Sequence, residues 1–180
     1  MALERSVALG DAFLRLAKKN IEIGSFINIG SGRGDDLGFF LKHWPKMRSL
    51  LIDMDPRFLD IWKGLAKRHP GTEYVVCGAS SEDGTGRFLK SNDVGGALSA
   101  AIGDDADFHE TPLRRIDTLV SELNMPGPYF LKFDTHGVEL DVLAGATETL
   151  KKTNLIMMEV YNFKLNFVDG KNLTFDEMSL

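Results

Sequence analysis

The chain has 180 residues, 43% hydrophobic and 26% charged, with a formal net charge of -5. That is the make-up of one globular domain with room for a real core, which excludes disorder and fibrous architecture. An acidic balance without a long basic tract argues against a nucleic-acid groove or a polybasic membrane patch, and the single cysteine, Cys77, can make neither an internal disulfide nor a thiolate zinc site.

In chain order, residues 1–20 predict an amphipathic helix, with Leu9, Phe13, Leu16 and Ala17 on one face. Charges break up its apolar residues, so it is no signal peptide, and no run approaches membrane-spanning length. A cytoplasmic protein with no membrane partner is expected. "SFINIG" reads as a first strand, and "DDLGFFLKHW" as a helix with Asp35 and Asp36 near its positive end. "SLLIDMDP" is a second strand stopped by Pro56. "RFLDIWKGLAKRH" has helical spacing at Phe58, Ile61, Trp62 and Leu65, and "TEYVVCGAS" is a third strand.

Residues 81–110 are polar and glycine-rich, which predicts a hairpin or extended arm followed by loop. "DTLVSELN" is a short helix with Asp117 placed as its N-cap. "PYFLKFD" is a fourth strand, "VELDVLAGATETLKK" a helix bent at Gly145, and "NLIMMEVYNF" a fifth strand. Strands alternating with helices predict a Rossmann-like α/β fold, a mostly parallel sheet with helices on both faces, in one domain over 1–180. The final "GKNLTFDEMSL" starts another helix and stops at Leu180, so the last strand pair of a doubly wound sheet is expected to be absent.

The loop after the first strand, "NIGSGRGDD", alternates Gly30, Gly32 and Gly34. Glycine there lets a ligand approach bare backbone next to a helix N-terminus. The spacing is G-x-G-x-G, not the G-x-G-x-x-G of dinucleotide sites, and no G-K-[ST] follows to make a P-loop. A tight turn with no ligand is the plain alternative. Asp53 closes the second strand about twenty residues on, where a carboxylate can accept both ribose hydroxyls. Asp55 either joins it or caps the next helix. Loop and acid together predict an adenosine-containing cofactor.

"FLKFDTHGVELDVLAGATETLKKTNLIMMEV", residues 130–160, closely resembles the signature of the FkbM-type methyltransferases. Lys132, Asp134, Gly137, Glu139, Val142, Leu143, Gly145 and Ala146 fall on the K-x-D-x-x-G-x-E-x-x-V-L-x-G-A pattern, and Glu159 ends the strand that follows. "VCGASSEDGTGRF" and "RRIDTLVSEL" are similar to the family's third-strand segment and linker helix. The resemblance implies a class I fold, S-adenosylmethionine as cofactor, and methylation of a hydroxyl on a small molecule or sugar. It also implies an acid two residues before the first loop glycine, to hold the cofactor's ammonium; this chain has Asn28 there, with an acceptor oxygen and no charge.

The candidate site follows. Asn28, Gly30, Ser31, Gly32, Asp53, Asp55 and Ala79 are the cofactor set, Ala79 by its place after the third strand. His136, in the "DTHG" turn, suits a general base because its ordinary pKa lies near 6.5. Its plain alternative is a loop histidine with no role. Asp134 is a second candidate base or a ligand for the cofactor's amino group, since a carboxylate closing an apolar strand needs a partner. Glu159 is a candidate for the acceptor, or faces solvent. Glu139 equally well starts its helix, Lys132 reads as a snorkelling side chain at the sheet end, and Cys77 as core filler. No metal is expected. A nicotinamide-dependent oxidoreductase and a non-catalytic member of the same fold are the competing readings.

Overall fold

A computed structural model describes residues 11–16, 18–89, 97–98, 108–160 and 174–178. The chain runs through helix α1 (11–16), strand β1 (Ser25–Ile29), α2 (Leu37–His43), β2 (Arg48–Asp53), a 3₁₀ turn (Pro56–Phe58) that leads into α3 (Leu59–Arg68), and β3 (Thr72–Val76). Then come β4 (Gly78–Ala79), β5 (Gly84–Leu89), β6 (Ala97–Leu98), β7 (Phe108–Arg114) and α4 (Ile116–Glu122). β8 (Tyr129–Phe133), α5 (Glu139–Ala144), α6 (Thr147–Leu150), β9 (Thr153–Met158) and α7 (Phe175–Met178) complete it.

The main sheet has the order β3-β2-β1-β8-β9, and every neighbouring pair is parallel. All of β1 is buried, as expected of a central strand covered on both faces. Because side chains alternate along a strand, the two faces carry different cores. Ile27 and Ile29 pack with Leu50, Ile52 and Leu131 against Ile116 and Leu119 of α4. Phe26 and Phe130 face the other way, onto Phe40 of α2, Trp62 of α3 and Phe13 of α1. The Phe26, Phe40 and Phe130 rings lie 4.9 Å apart, centroid to centroid, in each pairing. Such pairs add about 0.5–1.5 kcal/mol each beyond the area they bury.

Three predicted elements differ in detail. The third strand is interrupted at Cys77: β3 stays in the main sheet, while β4 pairs with β7 in a second sheet of order β4-β7-β5-β6. The hairpin expected after it is the antiparallel β5–β7 pair, and residues 90–96 and 99–107 of the predicted segment lie outside the described residues. The helix expected over 138–152 is two helices, broken at Gly145, where a side chain would come within 2.0 Å of the Ser80 carbonyl oxygen. Asp117 does not cap its own helix, whose N-cap is Arg115. It reaches across to α6 and accepts the Thr149 and Glu148 N–H groups at 2.8 and 3.1 Å. Burial alone would raise the Asp117 carboxyl, but these hydrogen bonds outweigh it and hold it below its ordinary value.

Candidate functional site

A cavity of about 340 Å³ opens at the carboxyl ends of β1, β2 and β8. This is where the strand order reverses, with β2 and β3 on one side of β1 and β8 and β9 on the other. Open α/β sheets place ligands there, and the volume is that of a small-molecule site.

The glycine loop forms its floor. The Gly30 and Ser31 N–H groups both donate to the Ile52 carbonyl at 2.9 Å, tying the loop to β2. Gly30, Gly32 and Gly34 all have positive φ, but they serve different purposes. A Cβ on Gly30 would lie 2.0 Å from the Asp134 carbonyl oxygen, and one on Gly34 would press on Leu65 at 3.0 Å. Packing against backbone requires the first, whereas the second is crowded only by Leu methyl groups, on top of its φ of +71. A Cβ on Gly32 would meet nothing within 4 Å; its bare backbone borders the cavity. The Gly32 carbonyl accepts the indole N–H of the fully buried Trp62 at 2.8 Å, which fixes the loop on α3. Ser31, also in the wall, is 7% exposed, and its hydroxyl has no hydrogen-bond partner among the described residues. An unmet buried hydroxyl costs about 1–3 kcal/mol.

Asp53, at the end of β2, accepts the Gly32 N–H at 2.8 Å and the Asp55 N–H at 3.0 Å, one on each oxygen. Burial pushes its carboxyl up against the pull of those N–H groups. Each oxygen keeps acceptor capacity for a ligand. Asp55 lines the wall too, but its carboxylate is engaged as a cap: it accepts the Arg57 backbone N–H at 2.9 Å and pairs with the Arg57 guanidinium, Nε at 2.7 Å. Of the two sequence readings of Asp55, capping describes this geometry.

Across β1, at the end of β8, Lys132 is the residue whose part the sequence understated. Its Nζ lies 3.0 Å from Asp36 Oδ2 and 3.2 Å from Asp134 Oδ2, with the side chain 11% exposed. Burial pulls Lys132 down, but the two carboxylates outweigh it and raise the ammonium above its ordinary value. The signal lies in the strand pairing and not in the local sequence. β1 and β8 pair in a register that sets Asn28 beside Lys132, on the face covered by α2, the helix Asp36 precedes. Asn28, expected to touch the cofactor, is fully buried behind the loop and is not among the residues that line the cavity. Its amide donates to Asp36 Oδ1 at 3.1 Å, and its own oxygen has no partner among the described residues.

The "DTHG" turn closes the same end. The Asp134 N–H donates to the Ile29 carbonyl at 2.9 Å, which joins the ends of β8 and β1. His136 lines the cavity with φ 44, a left-handed conformation that costs a non-glycine residue about 1–2 kcal/mol. Glu139 holds the turn in that shape: nearly buried, it accepts the Gly137 N–H at 2.8 Å and the Thr135 hydroxyl at 3.2 Å. His136 Nε2 stands 3.9 Å from Asp134 Oδ1, close enough for attraction and too far for a hydrogen bond. On the opposite wall are Ala79 and Cys77, whose thiol is pushed up to about 12 by burial and is inert near neutrality. Glu159 is exposed just past β9, its N–H on the Phe133 carbonyl at 3.1 Å, and does not line the cavity. Every other predicted site residue apart from Asn28 does.

A family model described as the methyltransferase FkbM domain matches residues 10–179. No curated protein matches the chain. Among the described residues, no helix is long and apolar enough to cross a membrane.

Proposed function

The chain belongs to the FkbM methyltransferase domain family, and on that premise we propose that it transfers a methyl group from S-adenosylmethionine to a hydroxyl of a small molecule or sugar, in the cytoplasm. The charge of the cavity carries the choice of donor. Five aspartates line it against Arg33 and Lys132, and Arg57 pairs with one of them, Asp55, which leaves carboxylate in excess. Such a wall attracts a sulfonium and repels the pyrophosphate of a nicotinamide dinucleotide. The residues fit the group in other ways as well, through the bare backbone at Gly32 and the unmatched Ser31 hydroxyl.

Bound there, S-adenosylmethionine would supply a methyl already activated by its sulfonium leaving group. Asp53 accepts hydrogen bonds from neighbouring ribose hydroxyls, and Gly32 and Ala79 offer flat backbone surfaces for the nucleoside. His136 takes the proton from the acceptor hydroxyl; a well-placed general base contributes about 10²–10⁴-fold. The Asp134 carboxylate stands 3.9 Å from His136 Nε2 on the same wall.

Calorimetric titration tests this. The folded protein is expected to bind S-adenosylmethionine and S-adenosylhomocysteine but not NAD, and an Asp53→Ala variant to lose that binding. Uptake of NAD, with neither adenosyl compound bound, would sink the proposal.

A further inference from the structure

The turns that follow α1, α2 and α3 lie side by side at the amino ends of the strands, the end of the sheet opposite the cavity. The Trp44 indole donates to the Ile21 carbonyl at 2.8 Å, the Arg48 N–H to the Gly24 carbonyl at 2.9 Å, and the Ser49 N–H to the Gly71 carbonyl at 3.0 Å. Lys18, Lys19, Lys42, Lys46, Lys67 and Arg68 stand on or next to these turns, all exposed. None of them forms an ion pair among the described residues. Cations elsewhere are held: Arg33 by Asp35, Lys63 by Asp60, Arg114 by Asp83 and Glu122, Lys132 by Asp36 and Asp134. The acids next to the turns are Glu73, which Arg48 already holds, and an exposed Glu22. Cations suit helix C-termini, and that accounts for Lys42, Lys67 and Arg68 one helix at a time. It does not account for three such ends gathered with Lys18, Lys19 and Lys46, without counter-charge, in a chain of net charge -5. The fold builds this cluster from three segments, so the sequence shows no basic tract.

We propose that this end of the molecule is a docking surface for an acidic segment of a partner protein. Charge complementarity carries the proposal: these cations gain a counter-charge from Asp or Glu side chains without giving up an existing pair. Other anionic surfaces fit less well. Helices that lie on membranes add bulky apolar side chains to their cations. The exposed large apolar side chains among the described residues, Leu14, Leu140 and Ile156, are not on these turns. Single-stranded nucleic acid stacks on aromatic faces, and the tryptophan of these turns, Trp44, is buried with its N–H spent. The surface does not depend on the donor reading, because none of its residues lines the cavity. A segment bound here leaves the mouth of the cavity open, so it tethers the protein without blocking it.

The probes are a short fluorescein-labelled polyglutamate peptide, vesicles of phosphatidylcholine with phosphatidylserine, and a DNA duplex, each titrated against the native protein at low salt. The peptide is expected to bind more tightly than vesicles or duplex, and to be released as salt is added. Lys42→Gln/Lys67→Gln is expected to weaken the peptide about fivefold, the scale of two exposed ion pairs. Lys63→Glu lowers the net charge by the same amount from a cation already paired with Asp60, and is expected to leave the affinity nearly unchanged. Equal weakening by the two variants means attraction to the molecule at large and overturns the surface. Failure of the peptide to bind at low salt overturns it too. Tighter binding of vesicles or duplex overturns the choice of a protein partner. All three positions are exposed, so each variant is expected to keep the native thermal melt.

Discussion

At the β2 end of the cavity, Asp53 forms no ion pair among the described residues and rests on the N–H groups of Gly32 and Asp55. At the β8 end, the Lys132 ammonium is enclosed by Asp36 and Asp134. Both ends bury charge, with opposite results. Desolvation wins at Asp53, whose carboxyl is raised. Coulombic attraction wins at Lys132, whose ammonium is held. The first arrangement suits neutral hydroxyls, which strengthen a lone carboxylate without needing to be desolvated as ions. The second suits charged groups, which trade one ion partner for another.

The most damaging change is at the hinge between the two ends. Gly30→Ala forces a Cβ to within 2.0 Å of the Asp134 carbonyl at φ +74, and is expected to cost about 3 kcal/mol or more in denaturant unfolding. Gly32→Ala, with open space around its Cβ, should cost only about 1–2 kcal/mol. Similar losses from both would show that the loop is not clamped at Gly30 alone. Asp53→Ala comes next, with affinity for S-adenosylhomocysteine expected to fall roughly 100-fold, since two hydrogen bonds to a carboxylate are lost.

A pH series sharpens the contrast further. The Asp53 carboxyl is raised above 3.8, its ordinary value, so the native state binds that proton more tightly than the unfolded chain. Its contribution to stability is therefore greatest in acid and is lost as pH rises from about 3.8 through the folded value. Under the proposed function ligand affinity is expected to run the other way, because ribose hydroxyls would bond to the anion. Titrations taken from neutral pH into the carboxylate range should show binding weaken before an ordinary aspartate would protonate, with Asp53→Asn flattening the trend. The smallest expected effect is that of Ser31→Ala. Removing an unmatched hydroxyl should leave the melting temperature of the free protein unchanged or slightly higher, and weaken ligand binding by about 1 kcal/mol. A clear drop in melting temperature would mean that the hydroxyl already has a partner.

Much of the fold was legible because strands, turns and helices here follow local rules. Unbroken apolar runs marked the parallel strands, Pro56 marked the end of β2, and Gly30 with Asp53 marked the mouth of the cavity. What was not legible depended on contacts between distant segments. Asp117 looked like a cap for its own helix and caps α6 instead, thirty residues away. The bend at Gly145 was read from the sequence, but not its cause, the Ser80 backbone that crosses there. Lys132 looked like a snorkelling side chain until the β1–β8 register set it beside Asn28, within reach of Asp36. Composition alone reveals none of these.

The bond from Trp62 to the Gly32 carbonyl has a practical consequence. The chain has two tryptophans, and the other, Trp44, spends its N–H on the Ile21 carbonyl, outside the residues that line the cavity. One indole thus sits on the loop that borders the cavity, and its twin serves as a quiet reference. Intrinsic tryptophan emission should therefore report occupancy without any label, and Trp44→Phe would leave Trp62 as the sole tryptophan.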